Sequence, residues 1–325
     1  MVLIVVFLIV AVLILTASLY VYLIAFYSSP KRRPVLDDPM TGPQYEAVME
    51  DIYRCGHVME RYPSEDIWIT SYDGCRLHGR YYHLANGAPI EILFHGYRSC
   101  AFRDCSGGHL LSRKMGFNAL VVDQRAHGES DGKVITFGVK EHRDCGKWVE
   151  YAASRFGNEI PVILSGLSMG AATVLMAAGL RLPENVACII ADSPYSAPSA
   201  IIEKVCRDLH YPVWLCRPFI HLAALIYGRF MLNSCTAKEA VRHATVPILL
   251  IHGEDDRLVP CSMSNEISQS STSPVTVRTF PDAGHGLSYL IDPIGYETTV
   301  CDFLMTVPKV KDRISETFLN RKYEN

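Results

Sequence analysis

A short motif in the middle of the chain restricts its fold more than any other feature. Residues 166–170 read Gly-Leu-Ser-Met-Gly, and they lie between the apolar run 161–164 and a helical pattern that starts at Met169. Glycine at both ends of so tight a turn avoids clashes between side chains and the neighbouring strand and helix. The motif therefore predicts a strained backbone at Ser168, with its hydroxyl exposed beyond the end of a buried strand.

Short apolar runs alternate with helical patterns along most of the chain. This alternation predicts an α/β fold with a mostly parallel sheet of eight strands and helices on both faces. The first two strands are predicted to form a β-hairpin. The predicted strands are residues 67–70, 76–84, 90–94, 118–122, 161–164, 187–191, 247–251 and 276–280, and the predicted helices are 45–61, 104–115, 138–156, 169–180, 200–209 and 218–232.

The segment between the strands at 187–191 and 247–251 is too long for a connection within a compact sheet. It contains apolar helical patterns. We therefore predict a helical cap insertion at about residues 196–243 that covers the functional site. The alternative is a set of extra helices packed on the sheet edge.

Residues 1–27 carry no charged side chain. At about 1.5 Å per residue they are long enough to cross a hydrocarbon core of about 30 Å. A transmembrane anchor is favoured over a cleaved signal peptide, because the segment has no basic start and no clear cleavage site. The basic residues 31–33 follow it, which predicts a single-pass membrane protein whose remaining chain is cytoplasmic. Residues 28–65 are predicted to be a linker with an amphipathic helix, and residues 66–325 the main domain.

Charge and cysteine content exclude several classes of protein. The net charge is −3, so the chain lacks the basic excess of a nucleic-acid-binding protein. The eleven cysteines have no paired or zinc-binding spacing, which favours a reducing compartment and buried thiols. The sequence implies no metal and no organic cofactor.

Four side chains are candidates for nucleophilic chemistry. Ser168 needs a base to act as a nucleophile at neutral pH. His285 lies in a Gly-His-Gly sequence soon after the last predicted strand, and the adjacent Asp255 and Asp256 follow the strand before it. Because the carboxyl ends of parallel strands lie at one sheet edge, the serine, one of the two acids and the histidine are expected to meet there as a catalytic triad.

Two backbone N–H groups are candidates for an oxyanion hole. Tyr97 follows the third predicted strand, and Met169 begins the helix after the Gly-Leu-Ser-Met-Gly turn. Their N–H groups are predicted to bind the negative oxygen that forms when a nucleophile attacks a carbonyl carbon. His95 is predicted to brace the first of these loops, and Asp123 and Arg125 are predicted to form an internal ion pair that shapes another.

Five motifs together resemble those of the α/β-hydrolase superfamily. They are HGYRS at 95–99, DQRAHGES at 123–130, GLSMG at 166–170, HGEDDRLVP at 252–260 and GHG at 284–286. The chain looks most like bacterial membrane-anchored hydrolases with a serine-aminopeptidase-like or prolyl-oligopeptidase-like catalytic domain. This resemblance implies an α/β-hydrolase fold. It also implies that the acid of the triad is Asp256, at the fifth position of its motif, rather than Asp255.

The residues and the resemblance together predict a serine hydrolase that forms an acyl-enzyme on Ser168. The leading substrate is a small-molecule or lipid ester, because an apolar cap and a membrane anchor both favour lipophilic molecules. A peptidase or amidase of the same fold is one alternative, and a non-catalytic binding protein is another. The sequence sets no oligomeric state.

Overall fold

The computed structural model describes residues 1–40 and 42–323. The strands are β1 (Glu65–Thr70), β2 (Arg76–Tyr82), β3 (Ile90–Phe94), β4 (Asn118–Val122), β5 (Val162–Leu167), β6 (Val186–Asp192), β7 (Ile248–Gly253) and β8 (Val275–Phe280). They form one sheet in the order β1-β2-β4-β3-β5-β6-β7-β8. β2 pairs antiparallel with both β1 and β4, and the other pairings are parallel. The predicted mostly parallel sheet of eight strands is therefore confirmed.

The helices lie close to their predicted positions, with more breaks than expected. They are α1 (Val2–Val21), α2 (Pro43–Glu46), α3 (Met49–Glu60), α4 (Ala101–Asp104), α5 (Ser106–Met115), α6 (Glu141–Phe156), α7 (Met169–Ala177), α8 (Pro198–Asp208), α9 (Val213–Leu222), α10 (Ala237–Ala240), α11 (Ser262–Ser270), α12 (Ser288–Ile291), α13 (Pro293–Met305) and α14 (Glu316–Tyr323). Helices α1 and α9 continue as π-helical segments, Tyr22–Phe26 and Ala223–Tyr227. The helix predicted at 45–61 is divided, because Val48 leaves helical geometry between α2 and α3.

Helices cover both faces of the sheet, because its central strands are mostly apolar. The neighbouring residues Ile163 and Leu164 of β5 point to opposite faces, and both are fully buried. Leu164 packs in the cluster that contains α6 and α7, and Ile163 packs in the cluster that contains α5 and α13. The loops that follow the parallel strands consequently come together at one edge of the sheet.

The insertion predicted at 196–243 is helical and contains α8, α9 and α10. Helix α10 packs on α7, and α9 packs against α1. The insertion therefore fills the space between the globular domain and the N-terminal helix.

The C-terminal end of the N-terminal helix is part of the globular core. Phe26 is 0% exposed. Its ring lies edge-on to Phe137 and Phe230, with centroid distances of 5.8 and 5.4 Å. By contrast, all side chains of residues 2–10 are exposed. The helix thus divides into an exposed N-terminal part and a packed C-terminal end.

The chain that follows this helix is also held against the domain. Tyr27 forms an antiparallel bridge with Val134. The guanidinium of Arg33 donates hydrogen bonds to the carbonyl oxygens of His127, Gly128 and Ser130, and of Gly132. The first part of the segment predicted as a linker therefore has a fixed place in the structure.

Replacement of Phe26 tests whether the helix end is core or anchor. Phe26→Ala should lower the free energy of unfolding by about 3–5 kcal/mol, because it opens a cavity in a buried site. Phe7→Ala is the matched control, since Phe7 lies on the same helix and is 72% exposed. It should change stability by less than about 0.5 kcal/mol. Urea unfolding of the full chain in detergent micelles measures both, and equal small effects would contradict the assignment.

Candidate active site

Ser168 occupies a sharp turn between β5 and α7. Its backbone has φ of 56° and ψ of −113°, an unfavourable region for a residue with a side chain. A Cβ atom on Gly170 would lie 2.0 Å from the carbonyl oxygen of Phe94, and one on Gly166 would lie 2.3 Å from the Gly170 carbonyl carbon. Neither position tolerates a side chain. The close approach of helix and strand thus imposes the strained turn that the sequence predicts.

The ring of His285 is held by Asp256. The distance between His285 Nδ1 and Asp256 Oδ2 is 2.7 Å. Asp256 Oδ1 accepts hydrogen bonds from the backbone N–H groups of Leu258 and Val259, at 2.9 and 2.8 Å. Asp256 is buried, whereas Asp255 is exposed. The structure therefore brings Asp256, and not its neighbour, to the histidine.

The environment of Asp256 keeps its carboxylate ionised. Burial alone would raise its pKa, but hydrogen bonds from His252 and His285 outweigh burial and hold the pKa below the usual range. His252 Nε2 lies 3.3 Å from Asp256 Oδ2 and donates to the Val259 carbonyl at 2.8 Å. An ionised Asp256 can orient the His285 ring and stabilise its protonated form.

Ser168 and His285 line the same cavity, which has a volume of about 380 Å³. Within the part of the chain that the structure describes, no hydrogen bond joins the Ser168 hydroxyl to the His285 ring. Such bonds are often long in ligand-free enzymes and shorten when a substrate binds. The cavity therefore contains the candidate nucleophile and the candidate base without showing the contact between them.

The N-terminal segment, rather than the insertion at 196–243, supplies the roof of this cavity. Its lining includes Pro39, Met40 and Tyr45. The side-chain oxygen of Gln44 accepts a hydrogen bond from the backbone N–H of His285 at 3.2 Å. The expected cap over the site thus comes from an earlier part of the chain, because the insertion is occupied by its contacts with α1 and α7.

The loop after β3 carries the candidate oxyanion N–H of Tyr97. Asp104 fixes this loop: its Oδ2 accepts from the Gly96 N–H at 2.7 Å, and its Oδ1 accepts from the Ser99 hydroxyl at 2.6 Å. Met169, the second candidate donor, is the first residue of α7, so its N–H has no carbonyl partner within the helix. Sequence reasoning missed Asp104, although its position soon after HGYRS is a usable signal.

The same loop is fastened to the end of the N-terminal helix. The Tyr97 hydroxyl donates to the Ala25 carbonyl at 2.8 Å. The Arg98 guanidinium donates to the carbonyls of Ile24 and Tyr27, at 2.9 and 3.0 Å. The last four C=O groups of a helix lack hydrogen-bond partners within the helix. The side chains of Tyr97 and Arg98 supply donors to carbonyl groups at this end of the N-terminal helix.

His95 braces this loop as predicted. It is fully buried. Its Nδ1 donates to the Gly96 carbonyl at 2.9 Å, and its Nε2 accepts from the Gln124 N–H at 3.0 Å. Since both ring nitrogens are engaged, His95 joins the loops after β3 and β4.

The predicted ion pair between Asp123 and Arg125 is wrong. The Arg125 guanidinium instead binds Asp144 at 2.6 Å and Asp73 at 2.9 Å. Asp123 accepts a hydrogen bond from His78 Nδ1 at 2.8 Å. The two side chains bind different elements, so their closeness in sequence does not bring their charges together.

A second buried acid lies at the same sheet edge. Asp192 is the last residue of β6 and lines the cavity. Burial raises its pKa from 3.8 to about 6. The Ser193 hydroxyl donates to Asp192 Oδ1 at 2.9 Å and accepts from the Gly286 N–H at 3.2 Å, next to His285. The sequence analysis did not identify Asp192 as a candidate.

The raised pKa of Asp192 predicts a pH-dependent effect on stability. Since the folded protein holds this proton more tightly than the unfolded chain, the free energy of unfolding falls as the pH rises from about 4 to about 6. Asp192→Asn removes the buried charge. It should stabilise the protein at pH 7.5, by up to about 3 kcal/mol, and clearly less at pH 4.5.

Urea unfolding at the two pH values measures this difference. Asp312→Asn, at an exposed carboxylate, is the control and should change stability by no more than about 0.5 kcal/mol at either pH. A gain for Asp192→Asn that does not depend on pH would contradict the account.

The described residues offer no site for a metal ion. Within residues 1–40 and 42–323, no group of three or more His, Cys, Asp or Glu side chains is arranged to hold one. No disulfide joins any two cysteines within these residues. Burial raises the pKa of several of them, that of Cys75 to about 11, so these are poor thiolate ligands.

Comparisons with known proteins agree with the observed fold. The sequence profile of the alpha/beta hydrolase family matches residues 92–296, more than half of the chain. The chain is 26% identical to the uncharacterized protein YqkD of Bacillus subtilis over 226 residues, 69% of this chain and 74% of YqkD. It is 27% identical to human protein ABHD12B over 198 residues, 57% of this chain and 50% of that protein.

Solved structures of esterases share the fold. The structure is similar to that of the esterase Pf2001 of Pyrococcus furiosus, with a TM-score of 0.61, 23% identity, and coverage of 85% of this chain and 99% of that one. It is also similar to Est1E of Butyrivibrio proteoclasticus, solved with ferulic acid bound, with a TM-score of 0.58, 20% identity, and coverage of 74% and 98%. At these identities the likeness shows the fold alone.

Proposed function

Because this chain belongs to the alpha/beta hydrolase family, we propose that it is a serine hydrolase with Ser168, His285 and Asp256 as its catalytic triad. One observation carries the proposal. A serine on a strained strand–helix turn opens into the same cavity as a histidine whose other nitrogen is bound by a buried, ionised aspartate. A structural role requires neither the strain nor the shared cavity.

In the proposed reaction, Ser168 Oγ attacks the carbonyl carbon of the substrate while His285 Nε2 takes its proton. Asp256 holds the ring through Nδ1 and stabilises the imidazolium that forms. His285 then donates the proton to the leaving group, which leaves an acyl-enzyme. Water attacks this intermediate with the same base, and the acid product is released.

The N–H groups of Tyr97 and Met169 are proposed to bind the oxyanion. Met169 lies at the N-terminus of α7, where the helix dipole favours negative charge. Asp104 and the end of the N-terminal helix hold the loop of Tyr97 in place. Donors fixed before the reaction stabilise the developing charge without reorganisation.

An acyl ester of a lipophilic or small-molecule alcohol is the proposed substrate class. Apolar side chains line much of the cavity, among them Met40, Leu111, Met115 and Leu290. The cavity volume of about 380 Å³ is within the range of small-molecule sites. The structural similarity to the esterase Pf2001 also supports an ester substrate.

We propose that the N-terminal helix anchors the enzyme in a membrane. Among the described residues, Val2–Phe26 form a helix that is long and apolar enough to cross one, although a signal sequence can have the same properties. Its core-packed end at Phe26 favours retention, since cleavage there would remove a buried side chain. The basic residues 31–33 support a cytoplasmic position for the catalytic domain.

Labelling with a fluorophosphonate probe tests the nucleophile. The probe phosphonylates an activated serine, so the wild-type chain should be labelled and Ser168→Ala should not. Ser193→Ala, at a neighbouring serine that the proposal does not use as a nucleophile, is the control and should retain labelling. Labelling that survives Ser168→Ala in folded protein would remove the basis of the proposal.

The adjacent acids provide a matched pair of variants. Asp256→Asn should lower kcat by about 10⁴-fold, because an amide at this position favours the wrong tautomer of His285. Asp255→Asn should lower it by about tenfold at most, or about 1.4 kcal/mol of activation free energy. Steady-state hydrolysis of a p-nitrophenyl ester measures both, with folding checked by circular dichroism. The reverse ranking would assign the acid to Asp255.

A further inference from the structure

Helix α9 and its π-helical continuation present an apolar face that the rest of the protein leaves uncovered. Four large side chains along this segment, 213–227, are exposed: Trp214 by 78%, Leu215 by 46%, Leu225 by 57% and Ile226 by 42%. Exposed apolar side chains of this size are typical of a protein or membrane contact. The exposed His221 lies between the two pairs in the sequence. We refer to segment 213–227 as the cap helix, because it belongs to the insertion predicted as a cap; it does not line the candidate active site.

The cap helix lies against the N-terminal helix. The Tyr227 hydroxyl donates to the Leu15 carbonyl at 3.0 Å. The rings of Tyr227 and Tyr22 are 5.8 Å apart. The cap helix therefore accompanies the N-terminal helix from its end back to about residue 15.

The contact with the N-terminal helix determines how deep the cap helix would lie in a membrane. The part of α1 beyond it, residues 2–14, is about 20 Å long at about 1.5 Å per residue. A hydrocarbon core is about 30 Å thick, so residues 2–14 are too short to cross it alone. If the N-terminal helix spans the bilayer, residues near Leu15 also lie in hydrocarbon, and the side chains packed beside them lie there too.

We propose that the cap helix is embedded in the lipid bilayer beside the N-terminal helix, with Trp214, Leu215, Leu225 and Ile226 in contact with acyl chains. This inference rests on the membrane anchor of the proposed function. A bilayer fits the face better than a protein partner, because the face is continuous with a helix that itself requires lipid.

Charges near the face agree with this placement. Lys31, Arg32 and Arg229 are exposed and lie just after the two helices, where they can contact anionic lipid headgroups. Arg217, on the cap helix itself, is paired with Glu203, with an Arg217 Nε to Glu203 Oε1 distance of 2.8 Å. The pairing offsets the charge that would otherwise oppose burial near lipid.

Tryptophan fluorescence tests the proposal with the full chain. The sequence contains three tryptophans, Trp68, Trp148 and Trp214. The protein is reconstituted into vesicles of phosphatidylglycerol and phosphatidylcholine whose acyl chains carry bromine, which quenches only indoles that touch them. Bromine should quench the wild-type chain, and Trp214→Phe should abolish most of this quenching. Trp68→Phe is the matched control, since Trp68 is 43% exposed on strand β1, and it should leave the quenching unchanged.

Two further measurements on the same vesicles distinguish a failure of the lipid-contact inference from a failure of the proposed anchor or of the proposed nucleophile. Resistance to alkaline carbonate extraction reports on the anchor, and fluorophosphonate labelling reports on the serine. Unquenched Trp214 in protein that resists extraction overturns the inference, assigns the face to a protein contact and leaves the anchor intact. Release by carbonate overturns both the anchor and the inference. Neither result affects the proposed nucleophile Ser168, which the labelling tests separately.

Discussion

The approach of α7 to β3 is the constraint on which the site depends. The Gly170 backbone lies so close to the Phe94 carbonyl that no side chain fits between them. This contact forces the chain to reverse at Ser168, which lifts the hydroxyl out of the sheet and directs the N-terminus of α7 toward it. It also fixes where the loop after β3 can leave the sheet. The nucleophile and both candidate oxyanion donors therefore follow from one packing contact between a helix and a strand.

The sheet could be predicted, and the residues of the proposed triad located, because both depend on local patterns. Buried strands appear as apolar runs, and the candidate residues follow those strands directly. The predictions that were wrong concern contacts between residues that are distant in sequence. Arg125 was paired with its neighbour Asp123, but its partners Asp73 and Asp144 come from other elements. The roof over His285 comes from Gln44 and its neighbours, which no pattern of a single chain associates with residue 285.

The N-terminal helix, the proposed membrane anchor, also supports the candidate active site. Tyr97 and Arg98 satisfy carbonyl groups at its end, so the backbone that is proposed to bind the oxyanion is tied to the helix. Movement of the helix relative to the domain would move this loop. The proposed membrane segment and the candidate active site, which look separate in the sequence, are thus connected by a few hydrogen bonds.

The buried position of Phe26 also bears on how the protein is made. This residue leaves the ribosome early, but its packing partners Phe137 and Phe230 are synthesised more than a hundred residues later. The helix is apolar enough to enter a bilayer before they exist. The domain would then assemble around a peptide already fixed at the membrane surface, and its core would close only when residue 230 arrives. The proposed anchor would in this way confine the folding of the domain to the lipid interface.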